Sequence, residues 1–349
     1  MTDGALLSLP GWRGRASLPG GIAGASVVIP TFERPDHIRT LLGHLASLED
    51  CPRDVVIVDG SRNECTQALV SEFAVKHELS FDLTYVHSPA GLTLQRNVGI
   101  DISHGSIVFY LDDDCMPEPE YFRAICDVFA GDDRRQVGAV CGTLVGDLGI
   151  GLSLRSRLRF VLRLVPRLVP GTYYRTCTSV PRCLQVSFGG TRPTQLLPGC
   201  AMAFRRQVLD ENRFSMFFKG YSQAEDIEMS LRLRHAWVLL WCGDAKADHR
   251  HVPSSRPDRR AQGRMSVVNR VFVLLRYDSK PMVSTVIMLV LDVLFMVMYD
   301  VFHAMLRGGR LGSLRHAVGL IEGAVQCCAK PPRFAEPAPR REYRLACDT

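Results

Sequence analysis

The sequence predicts a three-layer α/β domain, with helices on both faces of a mostly parallel central sheet. Three observations predict it. Short continuous apolar runs, such as Asp54-Val-Val-Ile-Val58 and Ile107 to Leu111, read as strands covered on both faces. Two strand–helix units precede Ile107 in succession, which calls for right-handed parallel crossovers. The run at Ile107 then ends at once in three carboxylates, Asp112, Asp113 and Asp114. In open α/β sheets, ligands sit beyond the carboxyl ends of the strands, so this cluster faces a crevice.

A chain of 349 residues can hold one large domain of roughly 250 residues plus an appendage. Hydrophobic residues make up 46% and charged residues 22%, the balance of a globular chain. The net charge is +6, and the basic surplus is mostly Arg after residue 150, at Arg155 to Arg159, Arg256 to Arg264 and Arg340 to Arg344. That asymmetry suits phosphate groups or an anionic membrane surface. With no zinc-finger spacing, RNA-binding aromatic motif or heptad array, nucleic acid is not an expected partner. The 12 cysteines are scattered singly apart from Cys327-Cys328, with no Cys-x-x-Cys pair, and read as reduced, mostly buried thiols of a cytoplasmic protein. Met1 to Gly24 holds no apolar core of signal-peptide length and reads as a loose leader.

In chain order, Ala25 to Pro30 is the first strand. A helix follows from about Asp36, with Ile38, Leu41, Leu42, Leu45 and Leu48 at helical spacing. The second strand is Asp54 to Val58, followed by a helix from about Glu64 to His77 and a strand at Phe81 to Val86. Leu92 to Asn97 reads as a helix leading into the central strand. Glu118 to Phe129 reads as a helix and Val137 to Leu144 as a strand. Leu152 to Val169 mixes Leu and Val with Arg, interrupted at Pro166 with Pro170 just beyond. It suits either an amphipathic segment on a membrane or a basic surface helix packed on the sheet. Gln223 to Arg234 reads as a helix from Ile227, Leu231 and Arg234, and Trp237 to Cys242 as a strand.

Three adjacent carboxylates repel one another and raise each other's proton affinity unless a cation intervenes. Hard oxygen donors in that arrangement suit Mg²⁺ or Mn²⁺, often with substrate phosphates completing the shell. The alternative is a solvated acidic turn; its place directly after a buried strand favours the metal–phosphate site. Neither Gly-x-Gly-x-x-Gly nor the P-loop pattern is present. Small residues around Gly199 would let backbone approach a ligand closely. Glu225 and Asp226 open a helix, where acids also serve the helix dipole. In Asp248-His-Arg-His251, His249 is open to a metal role and His251 reads as a surface residue.

From Arg259 to Lys280 the chain reads as a basic helix. Met282 to Tyr299 is then the most apolar segment, barely long enough to span a bilayer, with Asp292 near its centre where charge is costly. An interfacial or re-entrant helix is the first reading, a span the second and a core-packed helix the third. Arg307, Arg310 and Arg315 make both flanks basic and give no orientation. The residues from Lys330 read as a tail.

Together these pieces resemble a family 2 glycosyltransferase of the GT-A fold. The resemblance is carried by Val27-Val-Ile-Pro-Thr31 with Arg34, Val58-Asp-Gly-Ser61, Gln95-Arg-Asn-Val-Gly99, Leu111-Asp-Asp-Asp114, Pro198 to Arg205, Glu225 to Arg232 and Asn269 to Arg276. Covering roughly residues 25–280, it implies a GT-A-like α/β/α sandwich, to which the apolar run at Met282 to Tyr299 adds a C-terminal helical, membrane-associated segment. It also implies inverting, metal-dependent sugar transfer. By that resemblance Pro30, Thr31, Glu33 and Arg34 line the nucleotide pocket. Asp59 holds the nucleobase, and Arg96 lies near uracil or pyrophosphate. Asp112 and Asp113 contact ribose and diphosphate; Asp114, with His249 as a possible additional ligand, holds Mg²⁺ or Mn²⁺. Asp226 is the general base with Glu225 as its neighbour. Where the family often shows Asp-Asp-Gly-Ser, this chain has Val58-Asp-Gly-Ser61. The implied divisions are a leader at 1–24, a nucleotide-sugar half at 25–146, an acceptor half at 147–258, a membrane-associated helical region at 259–330 and a tail at 331–349. The expected donor is a UDP- or dTDP-sugar. The acceptor is a glycan or lipid-linked molecule in cell-surface polysaccharide synthesis, at the inner face of the cell membrane. A non-catalytic relative that binds nucleotide or glycan, a sugar nucleotidyltransferase and a membrane-anchored structural protein are the rival readings.

Overall fold

A computed structural model describes residues 21–145, 153–165, 171–173, 187–250, 258–277, 282–306 and 311–332. The leader through residue 20, Pro166, Pro170, His251, Arg307, Arg310 and the tail from residue 333 lie outside the described residues.

Strands β1 (Ala25–Thr31), β2 (Asp54–Asp59), β3 (Asp82–His87) and β4 (Ile107–Leu111) pair in parallel in the order β3-β2-β1-β4. Helices α1 (Pro35–Ala46), α2 (Cys65–Lys76) and α3 (Leu92–Ile102) connect them, as the strand–helix periodicity predicts. β1, β2 and β4 read as nearly unbroken apolar runs because both faces are covered, whereas β3, at the sheet edge, is only partly buried. Val27, Ile29, Val55, Ile57 and Phe109 pack with α1 and α2, and with α4 (Tyr121–Ala130). Val28, Val56, Val108 and Tyr110 point the other way, toward α3, α6 (Arg206–Glu211) and α7 (Glu225–Leu233). Gly99 lets α3 seat directly on β1, because a Cβ there would lie 2.2 Å from a Val28 methyl.

Beyond β4 the sheet becomes mixed. Its order continues through β8 (Ala201–Arg205), β6 (Val137–Leu144), β9 (Val238–His249) and β5 (Cys115–Pro117), with β7 (Thr191–Pro193) also paired to β9. β8 runs antiparallel to β4 and β6, whereas β6 and β9 are parallel. β5, β7, β8 and α6 lack a sequence counterpart because three to six residues show no usable period. β9 runs past the predicted Cys242 end because it picks up β5, placing Cys115 opposite His249. That register brings His249 back beside the acidic cluster.

C-terminally, α8 (Arg259–Tyr277), α9 (Met282–Leu306) and α10 (Leu311–Ala329) pack side by side. Val283–Leu306 is apolar and long enough to cross a membrane by length and composition. Asp292, however, is fully buried: its carboxylate accepts from Arg159 on α5 (Leu154–Val161) at 2.8 and 2.9 Å, and from Arg270 on α8 at 2.6 Å. One aspartate thus ties three helices together. Asp292→Ala leaves two guanidinium groups without their anion and is expected to cost roughly 3–5 kcal/mol. Thermal unfolding of the variant checks this: the expected result is a large fall in Tm, and an unchanged Tm rejects the clamp.

Candidate active site

One cleft of about 990 Å³ opens at the carboxyl ends of β1 and β4. It is lined from one side by the acidic cluster and from the other by the N-terminus of α7. β4 ends at Leu111, so the next three residues leave the sheet at its ligand-binding edge, where carboxylates meet the cleft. Asp113 accepts hydrogen bonds from Thr31 Oγ1 and Arg34 Nη1, both at 2.8 Å. Asp114 Oδ1 lies 3.0 Å from His249 Nε2. Asp112 faces the cavity with 33% of its side chain exposed, 3.6 Å from Arg96 Nη2.

Arg96 is the hinge of the site. It rises from α3, is 1% exposed, and lies over the Phe214 ring at 5.3 Å. Nη1 donates to Glu225 Oε1 at 2.8 Å, and Nη2 to the Gly199 carbonyl at 2.9 Å. The same guanidinium therefore joins the β4 cluster to α7. Glu225 Oε2 also accepts from Ser222 Oγ at 3.1 Å, which leaves Glu225 engaged on both oxygens. Asp226 accepts from the Gly199 amide at 3.1 Å and from the Ile227 amide at 2.8 Å, and is partly exposed in the cleft. Ser222 and Ala224 carry φ of 59° and 68°, a left-handed backbone that non-glycine residues adopt at a cost. That strain lies in the turn that delivers the two acids.

Burial and the neighbouring Glu225 push the Asp226 carboxyl up to about 6 against the pull of Arg96. Burial likewise pushes Asp112 up to about 7, with Arg96 and His249 opposing. Burial works against a charged His249, yet hydrogen bonds to Asp114 and Cys200 raise it to about 10. These hydrogen bonds favour the protonated imidazole, whose charge would offset part of the cluster's. A divalent cation would displace that proton and take over its role, so the donor set fits a metal. Cys200 adds a sulfur: its Sγ and ligand atoms of Asp112 and His249 all lie within 4.8 Å of one another.

Pro30, Thr31, Arg34, Arg96, the three aspartates, Glu225, Asp226 and His249 all line the cleft. Asp59 and Glu33 do not. Asp59 is fully buried: Oδ1 accepts from the Ser61 amide and hydroxyl, and Oδ2 from Tyr85 at 2.9 Å. Ser61 Oγ in turn accepts from the Glu33 amide at 2.6 Å, so Asp59 shapes the loop carrying Arg34 from behind the wall. Glu33 points to solvent. The sequence reasoning missed Cys200 and Ser222. Cys200 sits inside the Pro198–Arg206 stretch singled out for backbone approach, but nothing in a lone cysteine announced its partners.

The pattern described as Glycosyl transferase family 2 matches residues 26–212. Among curated relatives, the chain is 25% identical over 116 residues to Glycosyltransferase AglE of Haloferax volcanii, covering 32% of this chain and 38% of the relative. It is 32% identical over 87 residues to Succinoglycan biosynthesis protein ExoM of Rhizobium meliloti, covering 24% and 28%. The matches thus span 38% and 28% of the two relatives' lengths. Among solved structures, it resembles the mannosyltransferase PcManGT of Pyrobaculum calidifontis in complex with GDP-Man and Mn²⁺. The TM-score is 0.52 at 16% identity, covering 86% of each chain.

Proposed function

The chain belongs to glycosyl transferase family 2 and has the GT-A fold, and from that premise we propose that it is a metal-dependent inverting glycosyltransferase. It moves a sugar from a nucleoside-diphosphate donor to a glycan or lipid-linked acceptor, at the inner face of the cell membrane. The observation that carries this reading is Arg96, which spans from Asp112 to Glu225 and puts the acidic cluster and Asp226 in one cleft.

On the donor side, Arg34 and Arg96 supply positive charge where a leaving diphosphate gains negative charge. Asp114, His249 and Asp112, with Cys200 beside them, would hold the divalent cation, which supplies further charge stabilisation when bound. On the acceptor side, Asp226 takes the proton of the attacking hydroxyl. The Gly199 and Ile227 amides orient its carboxylate, and Glu225, held by Arg96 and Ser222, keeps its proton affinity up. That affinity suits a base working near neutrality. Similarity to ExoM, a succinoglycan biosynthesis protein, supports a role in surface polysaccharide synthesis.

The test incubates the full chain with Mn²⁺, a panel of UDP-, dTDP- and GDP-sugars and candidate acceptors. Nucleoside diphosphate release matched to transfer is expected; pyrophosphate release indicates a nucleotidyltransferase instead. The rate should also depend on pH. Asp226 works only deprotonated, so kcat/KM is expected to fall about tenfold per pH unit below about pH 6. An acid limb displaced to the ordinary aspartate range near about 4 contradicts the assignment.

A further inference from the structure

We propose that the protein docks on an anionic bilayer as a monotopic enzyme, with α5, α9 and α10 pressing apolar stripes into one leaflet and α9 lying along the membrane. This builds on the membrane association above but not on the transfer chemistry.

Exposed large apolar side chains are concentrated on these helices. On α9, Val283, Ile287, Leu291, Leu294, Met298 and Phe302 recur at helical spacing and are 46% to 70% exposed. The opposite face, through Thr285, Leu289, Asp292, Met296 and Asp300, is buried. α10 repeats the pattern with Leu311, Leu314, Val318, Ile321 and Val325, and α5 with Leu154, Leu158 and Val161, continued by Leu162 just past its end. α9 contacts both neighbours, so the stripes adjoin. A monomeric soluble surface rarely carries so large an apolar area.

Packing argues against a span. α8 carries five arginines and is fixed to the catalytic domain: Asn269 Nδ2 donates to the Gln223 carbonyl at 2.8 Å, and Phe272 stacks on Phe217 at 3.8 Å. α10 runs alongside α8 in the same direction. A Cβ on Gly319 would stand 2.0 Å from the Arg260 carbonyl oxygen, and one on Gly323 2.7 Å from that of Arg264. α9 returns between their ends and is locked at mid-length by Asp292 to Arg270 and Arg159. A spanning α9 would put α8 and α10 on opposite sides of the bilayer and break this packing, or drag the α8 arginines through hydrocarbon.

Charge selects the occupant. Arg159 is taken up by Asp292, and the other charged residues of α5, Arg155 and Arg157, are both cationic, which matches anionic headgroups beside an apolar boundary.

The experiment treats sealed inside-out membrane vesicles from cells producing the full chain with a membrane-impermeant maleimide. Mass spectrometry then reads Cys65 on α2, which is exposed, and a cysteine placed by Lys330→Cys at the exposed, charged position just past α10, away from the apolar stripe. Labelling of both from the same side is expected; Cys65 labelled with position 330 protected means α9 spans and overturns the proposal. In a second arm, the purified chain is sedimented with phosphatidylcholine vesicles with and without phosphatidylglycerol. Binding is expected to strengthen at least about tenfold with the anionic lipid. It should fall about tenfold in the Val161→Glu, Leu162→Glu double variant. A chain that ignores both vesicles and sediments as a dimer assigns the stripes to a second copy and overturns the proposal.

Discussion

Asp226→Asn is expected to lower turnover by about 10²- to 10⁴-fold while leaving nucleotide-sugar binding close to that of the unaltered protein. The substitution keeps the shape of the side chain and one of its two acceptor roles toward the Gly199 and Ile227 amides. The lost hydrogen bond costs about 1 kcal/mol, and relief of repulsion with Glu225 offsets part of it. The fold therefore survives, but the proton acceptor does not. The acidic cluster, where the donor is placed, is untouched. Rate and donor affinity measured side by side decide the matter. A variant that turns over normally removes Asp226 from the base role; one that loses donor binding as well makes it part of the donor pocket.

Asp114→Ala is expected to act in the opposite way, removing the Mn²⁺-dependent part of donor binding. Asp114 pairs with His249 at 3.0 Å and has Arg34 at 3.9 Å. It is also one of three neighbouring carboxylates, so its loss relieves like-charge repulsion. A nucleoside diphosphate held at about 100 times its Kd stabilises a protein by roughly 2.7 kcal/mol, a readily measured rise in Tm. That rise should require Mn²⁺ in the unaltered protein and vanish in the variant. If Mn²⁺ strengthens donor binding equally in both, the cation is held elsewhere.

The parallel half of the sheet was legible because β1, β2 and β4 are apolar on both faces and its strands alternate with helices. Which face each residue serves was not, since Val27 and Val28 look alike in sequence yet join different cores. The antiparallel strands β5, β7 and β8 escaped notice because pairing, not local composition, defines runs of three to five residues. The same limit applies in the cleft. Asp112 to Asp114 and the pair Glu225-Asp226 were conspicuous as acid clusters at element ends. Asp59 stands at an equally suggestive strand end, but Ser61 and Tyr85 turn its carboxylate inward. Chain position gave its neighbourhood and not its direction. Arg96 was singled out for phosphate; its bridge to Glu225 depends on two residues 129 apart in sequence.

The central claim is a single displacement, with the leaving diphosphate on one side of the cleft and Asp226 on the other. The anomeric configuration of the transferred sugar, read by NMR from an α-linked nucleotide donor, tests it most directly. A β-linked product formed with one nucleoside diphosphate per transfer is the predicted result; an α-linked product would contradict it.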